Sequence, residues 1–302
     1  MWQEYAVEPS ALSDFMHLKY VVEKFGYSQG RILSQFPSDW VRQVYEAIGE
    51  MPDVRRKTAT VLLQRLKAEG LAGFGREYQP NQTWVNNAFR EHSSRPFRTL
   101  VSTNSQMGCV AVEDITDENL AVPLAVRVIA TSENLCAPME FLLLNESELV
   151  IIDPYWRFGR PKCKAVLERM LSIAKRGKCR RFKFVTRNDD RAESSVQIRR
   201  LIERNFSPEI AEGFSFRTYL IDDSETNEKL HARYCIGRRT GLRYDKGFDE
   251  SPNERVEIGI MSKELHAEIS ELFLDEKHPR FENSISVILP EPGVRGFRFG
   301  GA

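Results

Sequence analysis

Residues 149–186, LVIIDPYWRFGRPKCKAVLERMLSIAKRGKCRRFKFVT, decide the fold. Leu149, Val150, Ile151 and Ile152 form an unbroken apolar run that stops at Asp153-Pro154-Tyr155. That is the profile of a strand buried on both faces of a parallel sheet. Pro161 then opens an amphipathic helix over 161–175, with Val166, Leu167, Met170, Leu171 and Ala174 on one face. A basic turn around Gly177 leads into a second apolar strand over 181–186. Strand, helix and strand of these lengths make a βαβ unit and predict a sheet covered by helices on both faces.

Downstream, the spacing predicts a helix over 194–205, strands over 214–221, 230–236, 241–244 and 256–261, and a last helix capped by Ser262. Upstream it predicts strands over 98–103 and 124–131, and a helix over 133–144 capped by Ser132 and weakened by Pro138. The first hundred residues read mainly as helices, at 11–25, 39–51, 53–69 and 84–89, with the glycines of 70–75 as a stop. That stretch is either a small helical domain or an embellishment packed on the α/β domain. The predicted class is α/β, a mixed sheet flanked by helices. The expected organisation is a helical region over 1–96, an α/β domain over 97–289 and a mobile Gly/Arg/Phe-rich tail over 290–302.

The 302 residues carry 43 basic and 43 acidic side chains, so any surface for a polyanion must be a local patch. Cys109, Cys136, Cys163, Cys179 and Cys235 are scattered, with no C-x-x-C spacing, which suits a reducing compartment and gives no zinc site. The histidines lack H-E-x-x-H spacing, and neither a Walker A loop nor G-x-G-x-x-G occurs; no metal or other cofactor is predicted. The amino terminus has no basic-then-apolar leader and no apolar run is long enough to span a bilayer, so a cytoplasmic protein is expected.

Two stretches together carry a resemblance. The first is 149–186, with its Asp-Pro-Tyr-x-Arg run. The second begins at His231-Ala232-Arg233 and continues through 241–249, Asn253-Glu254 and the strand-helix pair VEIGIMSKELHAEISELF. Over roughly 130–275 the chain resembles the phospholipase D-like superfamily, in particular the phospholipase D-like domain that ends the MIT-domain-containing proteins. The resemblance implies the fold, a tendency to form homodimers and a basic surface for phosphates. In active members, H-x-K is followed by an aspartate five residues after the lysine, and two such units build one site. Here the lysine is Arg233, the aspartate position is Arg238, and one unit is present, so a complete site would need a second copy. Asp245 or Asp249 is the candidate replacement carboxylate.

The catalytic candidates are His231, Arg233, Asn253 and Glu254. On a strand, His231 and Arg233 would share a face; an imidazole there can attack phosphorus while the cation stabilises the non-bridging oxygens. Arginine in place of lysine keeps the charge and offers a bidentate fork. Two of these candidates also have a structural reading: His231 as a satisfied strand-end histidine, Glu254 as an ion-pair partner or a group that orients His231. The phosphate-binding candidates are Asp153, Tyr155, Arg157, Arg160, Arg180, Arg181, Arg243 and Lys246, the first three sharing a face if the strand continues past Pro154. Asp153 reads equally as an acceptor for a helix amino terminus and an arginine.

Residues 157–204 hold sixteen Lys or Arg against five Asp or Glu, a footprint suited to a polyanion. Compensation by acids such as Asp222, Asp223, Glu225 and Glu228 is the competing reading. The preferred expectation is a binder of phosphate polymers, nucleic acid foremost, built on a degenerate unit. A part among other proteins in a bacterial phage-defence system is a further expectation from the isolated unit. The alternatives are a metal-independent nuclease or phosphodiesterase using His231 in a dimeric site, and a peripheral module for anionic lipid.

Overall fold

The computed structural model describes residues 1–103, 108–222, 231–282 and 284–290. It is a mixed α/β protein that divides into two units, Met1–Leu124 and Ala125–Ala302. The first expectation to fall is the helical region over 1–96, because this stretch contains a sheet and the division lies at 124/125.

In the first unit the elements are β1 (Gln3–Val7), α1 (Phe15–Lys24), β2 (Arg31–Ser34), α2 (Trp40–Ala47), α3 (Asp53–Glu69), β3 (Leu71–Ala72), α4 (Trp84–Ser94), β4 (Leu100–Val101) and α5 (Asp117–Leu120). The strands form an all-parallel sheet in the order β3-β2-β1-β4. Alternation along β1 supplies both faces: Tyr5 joins Leu18, Val21, Trp40 and Leu63, while Ala6 joins Phe36, Trp84 and Phe97. The strand expected at 98–103 is therefore β4, and it belongs to this first sheet.

The second unit runs β5 (Ala125–Ala130), α6 (Ser132–Cys136), α7 (Glu140–Asn145), β6 (Glu148–Ile152), α8 (Pro161–Ala174), β7 (Arg181–Arg187), α9 (Ser195–Ala211), β8 (Ser215–Ile221), β9 (Arg233–Ile236), β10 (Gly241–Tyr244), β11 (Ser251–Ile260), α10 (Lys263–Ile269) and β12 (Ile285–Leu289). Its eight-stranded sheet has the order β12-β8-β7-β6-β9-β10-β11-β5. β6, β7 and β8 are parallel, as the βαβ reading required, and the other pairings are antiparallel. Val150 and Ile152 on one face of β6 pack with Ile269 and Phe273. On β7, Phe184 stacks against Trp156 with ring centroids 5.0 Å apart.

The helix expected at 133–144 is two helices, α6 and α7, because Pro138 interrupts it; its cap is Thr131, whose hydroxyl accepts the Asn134 amide at 3.2 Å. α9 continues past the expected 205 to Ala211 across a kink at Phe206, two residues before Pro208. β12 was not anticipated. Most of the expected tail, 291–302, and the acids Asp223, Glu225 and Glu228 lie outside the described residues. No helix among the described residues is long and apolar enough to cross a membrane.

Candidate functional site

β6, β7 and β8 end on the same side of the second sheet, where ligands of open α/β sheets commonly bind. β9 begins there, because its register pairs Tyr234 with Ile152 and so sets Arg233 beside Asp153. β10 ends there, with Tyr244 opposite Arg233, and delivers the loop 245–250 to the same place.

Asp153 is the centre of this group and is 3% exposed. Its Oδ1 accepts the Tyr155 amide at 2.9 Å and its Oδ2 accepts the Phe248 amide at 3.0 Å. Arg233 Nε lies 3.9 Å from Oδ1, an ion pair too long to be a hydrogen bond, and that Nε is buried without a hydrogen-bond acceptor among the described residues. Burial pushes the Asp153 carboxyl above its ordinary value, against the pull of the Phe248 and Tyr155 amides and of Arg233. The loop comes so close at Gly247 that a Cβ there would sit 2.8 Å from Asp249 Oδ1 and 3.3 Å from Asp153 Oδ2.

Arg233 Nη1 donates to the carbonyls of His231 at 3.4 Å and Asp245 at 3.3 Å. Its guanidinium also lies 5.4 Å from the centroid of the Tyr155 ring, and Arg187, at the end of β7, lies 5.3 Å from the same centroid. Arg187 Nη1 donates to the Tyr155 hydroxyl at 3.4 Å. Tyr155 itself is 39% exposed, with both cations over its ring.

Beside Arg233 is a cleft of about 260 Å³, walled by Lys246 and Gly247 and by the acids Asp245, Asp249 and Glu254. Lys246 Nζ donates to Glu254 Oε2 at 2.8 Å, and that contact holds the Glu254 carboxyl below its usual range. Asp245 Oδ1 accepts the Glu257 amide at 2.9 Å, so it closes the β10–β11 turn. Asp249 is the carboxylate that reaches the cleft next to Gly247. Asn253 is exposed on β11, beside the register shift between Ser251 and Arg255.

Several expected site residues are placed elsewhere. His231 precedes β9, so the same-face argument that joined it to Arg233 does not apply; it is exposed and is not part of the cleft wall. The strand carrying Asp153 stops at Ile152, so Arg157 turns inward and is 5% exposed. It donates to Asp189 at 2.6 Å, to Thr186 at 2.9 Å and to the carbonyls of Trp156, Pro154 and Arg191. This arginine fastens the 153–160 loop to β7. Arg180 donates to the carbonyls of Ala174 and Cys179, at 2.6 and 2.7 Å, closing the end of α8. Arg181 faces Glu148 at 3.8 Å. Both sit at the start of β7, about 20 Å along the strand from Arg187. Arg243 is exposed in mid-strand, opposite Tyr234 and Gly259, away from the group. Arg160 stays exposed at the start of α8, with Lys162 in the helix's first turn.

Part of the basic segment is balanced by acids distant in sequence: Arg169 by Glu133, Arg176 by Glu140, Lys175 by Glu209 and Glu212, Lys183 by Glu276. The cations of the segment nearest the sheet end are Arg187 and the exposed Arg160 and Lys162. In the sequence Arg187 is one of the sixteen cations of 157–204, and its position closing an apolar strand is the signal that sets it apart.

No protein-family model matches the chain, and no curated protein matches it. Among solved structures it is similar to the polyphosphate kinase of Porphyromonas gingivalis, with 13% identity and a TM-score of 0.34 over 49% of this chain and 24% of that one. It is also similar to TrmBL2, an archaeal chromatin protein with a novel mode of DNA binding, with 11% identity and a TM-score of 0.31 over 82% of this chain and 70% of that one. The chain thus spans about a quarter of the length of the kinase.

Proposed function

We propose that the second unit is a degenerate phospholipase D-like domain that binds the phosphates of single-stranded nucleic acid at the end of its sheet. The observation that carries this reading is Tyr155, half-exposed and flanked by Arg187 and Arg233 at 5.3 and 5.4 Å. The ring stacks a base of any identity once a guanidinium moves aside from its face, and the two guanidinium charges attract the adjoining phosphates. Arg160 and Lys162, at the amino end of α8, extend the positive edge where the helix dipole is also positive. The acids of the neighbouring cleft confine that edge to the Tyr155 side.

Binding is favoured over cleavage by the placement of the carboxylates. Asp153 is committed to two backbone amides, and Asp245 to the Glu257 amide. A place in a multi-protein defence system is not needed for this reading. The test is fluorescence anisotropy on a labelled single-stranded oligonucleotide. Tyr155→Ala and Arg187→Glu are expected to weaken binding at least tenfold, each stacked base supplying roughly 1–3 kcal/mol. Arg180→Glu is expected to leave it unchanged. Hydrolysis in EDTA that His231→Ala abolishes would establish the nuclease reading instead, and co-sedimentation with anionic vesicles in competition with the oligonucleotide would favour the lipid reading. Light scattering decides whether the chain is a homodimer.

A further inference from the structure

The first unit carries a surface that the Tyr155 site does not use. α3 is seventeen residues long and turns only Ala59, Leu63 and Leu66 fully inward. Residues 52–58 are all exposed, so its first turns stand clear of the core. Val54 and Val61 are 80% and 68% exposed, the two most exposed large apolar side chains among the described residues. At seven residues apart they share the outward stripe, and Lys57 lies between them at helical spacing. Further along the same stripe come Gln64 and Arg65.

The charge on this helix is concentrated. Five of the thirteen Lys and Arg of residues 1–124 lie on it, in a unit where acids outnumber bases fifteen to thirteen. Arg56 and Arg65 pair with Asp53 and Glu69 on the helix itself. Arg55, Lys57 and Lys67 are exposed and form no ion pair among the described residues.

We propose that α3 is a helix that lies in the major groove of duplex DNA. A groove about 12 Å wide admits an α-helix. Arg55 and Lys67, twelve residues apart, are separated by about 18 Å along the axis, enough to reach the phosphate rows on both sides. The outward valines then meet base edges, where a thymine methyl is the apolar partner, and Lys57 supplies a donor to them. A membrane surface fits less well, because an interfacial helix needs a broad apolar face and Lys57 divides this one.

The inference is independent of the Tyr155 site, and full-length chain tests the two separately. Anisotropy on a labelled 20-base-pair duplex is measured across salt for wild type, for R55E/K57E/K67E and for R55Q/K57Q/K67Q, with circular dichroism as the folding control. The charge-reversed variant is expected to lose at least tenfold in duplex affinity, and the neutral variant to flatten the salt slope by up to about three contacts. Replacing thymine by uracil in the duplex is expected to weaken wild type and to leave V54A/V61A unaffected. Single-strand binding is expected to persist in all α3 variants. Duplex affinity unchanged in the folded reversed variant overturns the proposal. So does wild-type binding to anionic vesicles that the reversal abolishes in the absence of duplex binding.

Discussion

Asp153 and Phe248 are ninety-five residues apart, and a hydrogen bond of 3.0 Å from the Phe248 amide to Asp153 Oδ2 ties the end of β6 to the loop after β10. The same carboxylate holds the Tyr155 amide, so one side chain sets the position of both the aromatic face and the cleft wall. Asp153→Ala would leave two amides without their acceptor and Arg233 without its counter-charge. Each orphaned amide costs about 1–3 kcal/mol, so a loss of roughly 2–6 kcal/mol in urea unfolding is expected. Asp153→Asn keeps one acceptor and is expected to lose about half as much. Equal stability of Asp153→Ala and wild type would refute this role.

Gly247 is required by closeness, not by backbone conformation. A methyl group there meets Asp249 Oδ1, the mobile end of a side chain, and Asp153 Oδ2, which is fixed. Gly247→Ala is expected to cost about 1 kcal/mol and Gly247→Val about 1–3 kcal/mol through overpacking. The readout is the urea midpoint, together with exchange of the Phe248 amide, which is expected to quicken.

Arg157 and Arg160 stand three residues apart in one loop and serve different ends. Arg157 has five acceptors around its fork, a set that an ammonium with three donors cannot satisfy. Arg157→Lys is expected to lose about 2 kcal/mol of stability. Arg160→Ala is expected to change stability by under about 0.5 kcal/mol and to weaken oligonucleotide binding. The reverse pattern would exchange their roles.

The sheet of the second unit was legible because its central strands are continuous apolar runs and α8 has a clean 3–4 spacing. The sheet of the first unit was not, since Leu71–Ala72 and Leu100–Val101 are two-residue strands whose partners are remote in sequence. At the site, Asp153 was visible as the polar stop of an apolar strand. The alternation that would join it to Arg157 failed because the chain turns at Pro154. The alternation that would join His231 to Arg233 failed for a related reason: β9 starts only at Arg233. The charge excess of 157–204 is larger in the segment than at its surface, because part of its compensation comes from Glu133, Glu140, Glu209, Glu212 and Glu276, all of them outside the segment.

His266 gives the second unit a pH dependence of defined sign. Its Nε2 lies 2.9 Å from the Gly237 carbonyl and 3.2 Å from the Ser270 hydroxyl, and burial pushes its pKa below the ordinary 6.5, with the Gly237 carbonyl and Glu146 opposing. The unfolded chain therefore binds a proton more readily than the folded one. Stability from this residue is fully present above pH 6.5 and declines as pH falls through 6.5 toward the lowered folded value. His266→Gln keeps a donor for the Gly237 carbonyl and removes the titration. Melting temperature followed from about pH 8 to about pH 5 is expected to fall less steeply in this variant than in wild type, and parallel curves would rule out His266 as the source.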